Sequence, residues 1–233
     1  MRRAISLGLI SLLLPLLAGG EGKETESAES LALWRARLEE AARPDSPYHS
    51  YMSQGWLSGA AHRLSPEDVA TAAELTLASM KGSAGNIDTL AMLTMWLFAL
   101  EDRVPAKVAE EALNLLWEKF VGASGDDRTL LALRALRIGN SPPLAKDSCG
   151  FTPQRAEDLL RVVEPMILFN LKDGNLEVGL GVFRMSKPCL TPEQVSRVAD
   201  AMRFRIQKEP ATLDQVKPYL DSLGPSGNED QGR

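Results

Sequence analysis

The side chains able to do chemistry are few and scattered. His49 and His62 are the only histidines, and neither sits in a metal-ligand motif, so both read as surface or loop histidines rather than as ligands or general bases. No Gly-x-Ser-x-Gly elbow and no P-loop glycine motif occurs. Glu39-Glu40 and Glu110-Glu111 are adjacent acids, but neighbours along a helix do not face each other and cannot grip one substrate together. A carboxylate pair drawn from distant positions, as in a glycosidase, is left open without any residues being selected for it.

Two further sets carry more weight. Arg63, Arg103, Arg137 and Arg184 fall near the ends of successive helical segments. Stacked segments align them into a ladder for an anionic partner; read one by one, each complements a helix C-terminus. Met95, Trp96 and Phe98 form an apolar set that serves either as core or as a partner groove. Cys149 and Cys189 are the only cysteines. Each lies just before a recurring proline motif, and the expectation for an exported chain is that they pair. Such a bridge closes a loop of about 40 residues and stabilises by about 3–4 kcal/mol in the chain-entropy model. No catalytic residue, metal or cofactor is indicated.

The elements that must position these residues recur along the chain. Leu64-Ser65-Pro66-Glu67-Asp68-Val69 comes back as Arg103-Val104-Pro105-Ala106-Lys107-Val108, as Phe151-Thr152-Pro153-Gln154-Arg155-Ala156, and as Leu190-Thr191-Pro192-Glu193-Gln194-Val195. Each copy opens an amphipathic run with proline expected at the first helical position, after a capping residue in three of the four. Gly82, Gly85, Thr89, Leu90 and Leu93 reappear 40 residues later as Gly122, Gly125, Thr129, Leu130 and Leu133, which predicts matching second helices after matching turns. Residues 138–150, with Pro142, Pro143 and two glycines, read as an inserted loop. Pro165 falls inside the third opening helix and is expected to kink it.

At the N-terminus, Arg2 and Arg3 precede a mostly apolar run to Leu17, and Ala18-Gly19-Gly20 supplies small residues for a cut. Residues 1–20 read as a signal peptide too short to span a membrane comfortably, and no membrane insertion is expected after its removal. Residues 21–29 are Glu-, Ser- and Lys-rich and are expected to be a disordered tether, with Ser30 capping the first helix; residues 224–233 are expected to be a disordered tail. The net charge is −5, which disfavours nucleic acid as a partner.

The expected fold is all-α: one domain over residues 30–223, a right-handed stack of about five antiparallel helix pairs. The period and layout resemble HEAT-like α-solenoids at the level of the superfamily. Pro165 matches the proline often found in that family's first helix, and Asp88 and Asp127 match its turn acid. Thr89-Leu90 and Arg128-Thr129 do not reproduce its Val-Arg pair. The resemblance implies a protein-binding scaffold with no catalytic residues. The expectation is therefore an exported scaffold, periplasmic or extracellular, that binds a protein or peptide. The alternatives are an exported hydrolase of cell-wall glycan or peptide, and a purely structural envelope module.

Overall fold

A computed structural model describes residues 14–43, 54–145, 150–169 and 175–223, with side chains described from residue 23 onward except at 54–56 and 175. The fold is all-α, and no strand occurs among the described residues. The chain divides into two compact units, Met1–Leu115 and Leu116–Arg233.

The first unit contains α1 (Leu14–Ala41), α2 (Gln54–Arg63), α3 (Pro66–Gly82) and α4 (Ile87–Ala99). Within it α1 packs on α2 and on α3, α3 packs on α4, and α2 packs on α4. Opening helices thus touch opening helices, and closing helices touch closing ones. The boundary between the units falls inside α5 (Ala106–Gly122). The second unit holds α6 (Gly125–Gly139), α7 (Pro153–Leu168), α8 (Asn175–Ser186), α9 (Pro192–Lys208) and α10 (Leu213–Asp221). There α7 packs most extensively on α8 and then on α9, while α8 also meets α6 and α10.

The proline motifs form their helices as local chemistry dictates. Ser65, Thr152 and Thr191 are extended N-cap residues whose hydroxyls accept from the N–H three residues on, with proline following in the first turn. Thr191 and Gln194 complete a reciprocal capping box. The second copy departs from this. Val104 has no capping oxygen, and Pro105 sits one place earlier, its carbonyl accepting the Ala109 N–H at 3.0 Å. Counted from each helix start, the same positions are buried in all four opening helices: Ala72, Ala73 and Thr76; Ala112, Leu113 and Leu116; Leu159, Leu160 and Val163; Val198, Ala199 and Met202. That shared stripe is the physical content of the repeat.

Three sequence expectations need correction. Residues 21–29 are no tether: they lie within α1, and Ser27 and Ser30 are buried on its packed face, so Ser30 is interior to the helix rather than its cap. The inserted loop begins later than residue 138, because α6 runs on to Gly139. The glycine match between the second and third turns does not carry the same burial. Thr89 and Leu90 are buried, whereas Thr129 and Leu130 are only half-buried, and Ala132 and Ala135 are buried where the aligned Met92 and Met95 are not. Asn86 caps α4 by accepting from Thr89 N–H, so that helix starts at Ile87. The next turn has no side-chain cap, and Gly125, at φ +58°, is already the first residue of α6. The extra residues at the start of α6 accompany a different face turned inward.

The expected partner helix over residues 48–62 is described only from Gln54, and the tail at 224–233 lies outside the described residues. Helix α7 continues through Pro165 to Leu168. No described helix is long and apolar enough to cross a membrane.

Candidate functional site

Of the candidate residues, Trp96 is settled by its surroundings. It is 1% exposed and meets Trp34 edge-on, ring centroids 5.0 Å apart at 85°. Trp34 is itself 0% exposed, and its Nε1 donates to Thr76 Oγ1 at 3.2 Å. Trp96 therefore belongs to the core where α1, α3 and α4 meet and presents no surface to a partner. Met95 and Phe98, on the same helix, are half-buried.

Arg103 is occupied as well. The chain leaves α4 through a single 3-10 turn, Glu101–Arg103, in which Glu101 takes φ +55°. A non-glycine residue held there costs about 1–3 kcal/mol. The turn sends Arg103 back onto the end of α2, where Nη2 donates to Ala61 O at 2.8 Å and Nη1 to Leu64 O at 3.4 Å. Ala61 O also accepts the Leu64 N–H at 3.1 Å in the turn that closes the helix, and a cation is favoured at this end by the dipole. For Arg103, then, helix-end complementation replaces the anion ladder. In the second unit Asn140 does the equivalent work without charge, its Nδ2 donating to Met185 O at 2.7 Å near the end of α8. Arg137 and Arg184 are exposed. Arg63 and Arg103 belong to the first unit, Arg137 and Arg184 to the second.

Arg63, the last residue of α2, remains turned to solvent, with its Nε 4.0 Å from Glu26 Oε1. With Glu26, Glu29, Ser30 and Leu33 of α1 it lines an open groove of about 220 Å³. Leu33 is 37% exposed there, which gives the groove an apolar floor between charged walls. The spacing of 26, 29, 30 and 33 puts these α1 side chains on one helical face. Sequence reading missed the site because it took residues 21–29 for a tether. The signal was there in Ser27, Ser30, Trp34, Leu38 and Ala41, which continue one helical face upstream, but the first two are serines and carry no apolar mark.

No family model, curated protein or solved structure matches the chain. The groove therefore has to be judged on its own chemistry. It offers two carboxylates, a guanidinium, a hydroxyl and a leucine, groups able to hydrogen-bond a polar ligand and to pair with a charged one. The carboxyls with lowered pKa lie elsewhere, and each is explained locally. Lys81 donates to Glu111 at 2.6 Å, Arg197 and then Gln194 hold Glu157, and the backbone N–H and Thr191 at the start of α9 hold Glu193. Hydrogen bonds of this kind favour the ionised form, the opposite of what a general acid needs. Among the described residues no cluster of His, Cys, Asp and Glu could hold a metal ion.

Cys189 lies at the end of the 3-10 turn Lys187–Cys189, with its Sγ 3.7 Å from Asn140 Oδ1. Cys149 lies outside the described residues.

Proposed function

We propose that the chain is an exported helical-repeat scaffold, periplasmic or extracellular, that binds a protein or peptide partner. The reading joins the helices into a HEAT-like, right-handed stack of about five antiparallel pairs. The observation that carries it is the stripe buried at the same positions of α3, α5, α7 and α9, because a repeat that cannot cover its own apolar face needs a neighbour to do so. The like-to-like helix contacts inside each unit support it too. The partner site is the groove of Glu26, Glu29, Ser30, Leu33 and Arg63, with Arg137 and Arg184 as further exposed cations.

Chemical crosslinking in the native envelope, followed by identification of the enriched partner, tests the reading. Arg63→Glu with Leu33→Asp is expected to lose that partner while keeping the helical circular dichroism signal. Enrichment of nothing counts against the scaffold, and enrichment unchanged by the double variant counts against the groove. Trp96→Ala is unsuitable as a contact probe, since it cuts into the core.

The reading includes a bridge between Cys149 and Cys189. In its favour, Gly150 N donates to Gly139 O at 3.1 Å, and the residue after Gly139 is the asparagine beside Cys189. Non-reducing peptide mass spectrometry is expected to find the two cysteines joined; two free thiols in the exported protein refute the bridge.

A further inference from the structure

The groove on α1 holds three acceptors that the protein itself leaves largely unused. Glu26, Glu29 and Ser30 are three and four residues apart, so they share one face of the helix. Glu29 is exposed and has no ion-pair or hydrogen-bond partner among the described residues. Glu26 has only Arg63, whose Nε stands 4.0 Å from Oε1, the outer limit of an ion pair. Ser30 differs in being buried, at 5% exposure, yet its hydroxyl also meets no partner among the described residues. Thr76 and Thr94, buried like it, return their hydroxyls to the carbonyl four residues earlier; Ser30 does not. A buried hydroxyl without a partner is costly unless something enters to meet it. Leu33, one turn further along the same face, is left exposed in the groove.

A primary ammonium on an aliphatic stem answers each of these features. It carries three donors and no acceptor, and the groove sets three acceptors side by side. Its stem covers apolar surface at Leu33 while the charged head stays at the carboxylates. The charge agrees. One base against two acids leaves the groove at −1, and the whole chain stands at −5, so a cation is drawn in and an anion repelled. We propose that the groove takes a lysine side chain of the partner, its ammonium among Glu26, Glu29 and Ser30 and its stem along Leu33. Arg63, held loosely, yields Glu26 to the incoming ammonium. The inference rests on the groove being the partner site and adds the side chain that the partner inserts.

The probe is the peptide Gly-Ala-Lys-Ala-Gly, blocked at both ends and titrated into the purified protein by NMR. Matched peptides carry norleucine, Nε-acetyl-lysine or glutamate in place of the lysine. The lysine peptide is expected to bind and to shift amide signals around Glu29 to Leu33. Norleucine and acetyl-lysine are expected to bind about tenfold more weakly or worse, since each loses the charged hydrogen bonds. Glu29→Gln is expected to weaken the lysine peptide by about tenfold with the melting temperature unchanged, because Glu29 has no partner to lose. Ser30→Ala is expected to weaken it too, again without lowering the melting temperature. A destabilised alanine variant shows that the hydroxyl serves the fold and overturns its role in the site. Equal binding of the lysine and norleucine peptides, a preference for glutamate, or no binding of any of them overturns the lysine assignment. Crosslinking separates that failure from failure of the groove: a partner still lost in Arg63→Glu with Leu33→Asp keeps the groove as the partner site and rejects only the lysine.

Discussion

Both units tie helix to helix through polar side chains, but they differ in how closely backbone approaches its neighbours at glycine. In the first, side-chain polar groups bridge one helix to the next: Trp34 to Thr76, Ser27 to Asp68 and Ser65, Arg103 to the end of α2. A Cβ added at its glycines Gly59, Gly82 or Gly85 would meet nothing within 4 Å. In the second, Gly122, Gly125 and Gly181 are equally open, but at three other glycines the backbone comes close. A Cβ on Gly139 would sit 2.0 Å from Phe151 Cε2, one on Gly150 would sit 2.6 Å from Gly139 O, and one on Gly179 would sit 2.8 Å from Met166 Cβ. Phe151 is also edge-on to Trp117, centroids 5.6 Å apart, and Trp117 packs on Phe120 at 4.7 Å. A bridging hydrogen bond tolerates added bulk at glycine, whereas a close backbone approach does not.

The largest expected effect comes from Gly139→Ala. The aromatic ring must move, and overpacking of this kind costs about 1–3 kcal/mol or more. Gly59→Ala, within α2, is expected to be neutral or to stabilise by about 0.5–1 kcal/mol. Denaturant melts of the two variants measure the contrast, and hydrogen exchange should rise in α6 and α7 for the first. Equal effects would remove the distinction between the units.

Next comes a break on the first unit's side. Thr76→Val keeps the shape and removes the acceptor for Trp34 Nε1, leaving a buried donor unpaired at a cost of about 1–3 kcal/mol. Restoring the acceptor with Thr76→Ser should recover part of the loss. If the valine variant is as stable as the parent, polar bridging is not what holds α1 to α3.

A smaller effect separates two turns that look alike in sequence. Gly125, at φ +58°, is expected to lose about 1–2 kcal/mol on replacement by alanine. Gly85, with ordinary φ and open space, is expected to gain up to about 1 kcal/mol. Matching shifts in melting temperature would mean that both turns share one conformation.

These cases also show what sequence could and could not reveal. Caps and prolines are local, so Ser65, Thr152 and Thr191 were legible, and so was the span of α9. Apolar periodicity was legible wherever the buried residues are apolar. It failed at Ser27 and Ser30, which are buried through hydrogen bonding to α3 and packing of α1, not through hydrophobicity. The glycine alignment failed because φ at Gly125 is not written in the residue type. The arginines divided by what stood opposite them in space: Arg103 met the end of α2 and Arg63 met the groove. The groove itself was invisible once its helix had been read as a tether.

The smallest expected effect concerns charge, where each unit has a tie between opening helices. Lys81 of α3 meets Glu111 of α5, and Arg197 of α9 reaches both Glu157 and Glu164 of α7. Arg197 first, and Gln194 second, hold the Glu157 carboxyl below its ordinary value of 4.5. A carboxyl lowered in the folded state contributes stability that is fully present above the unfolded value. That contribution is lost as pH falls through the lowered folded value. The groups are partly exposed and screened, so the tie is worth about 0.2–1 kcal/mol. Arg197→Gln should therefore lower the melting temperature slightly at neutral pH, and the gap to the parent should close as pH drops below about 4.5. Added salt should narrow the same gap at neutral pH. A gap that persists unchanged in acid would show that Arg197 acts through the packing of its aliphatic stem on α7 and not through its charge.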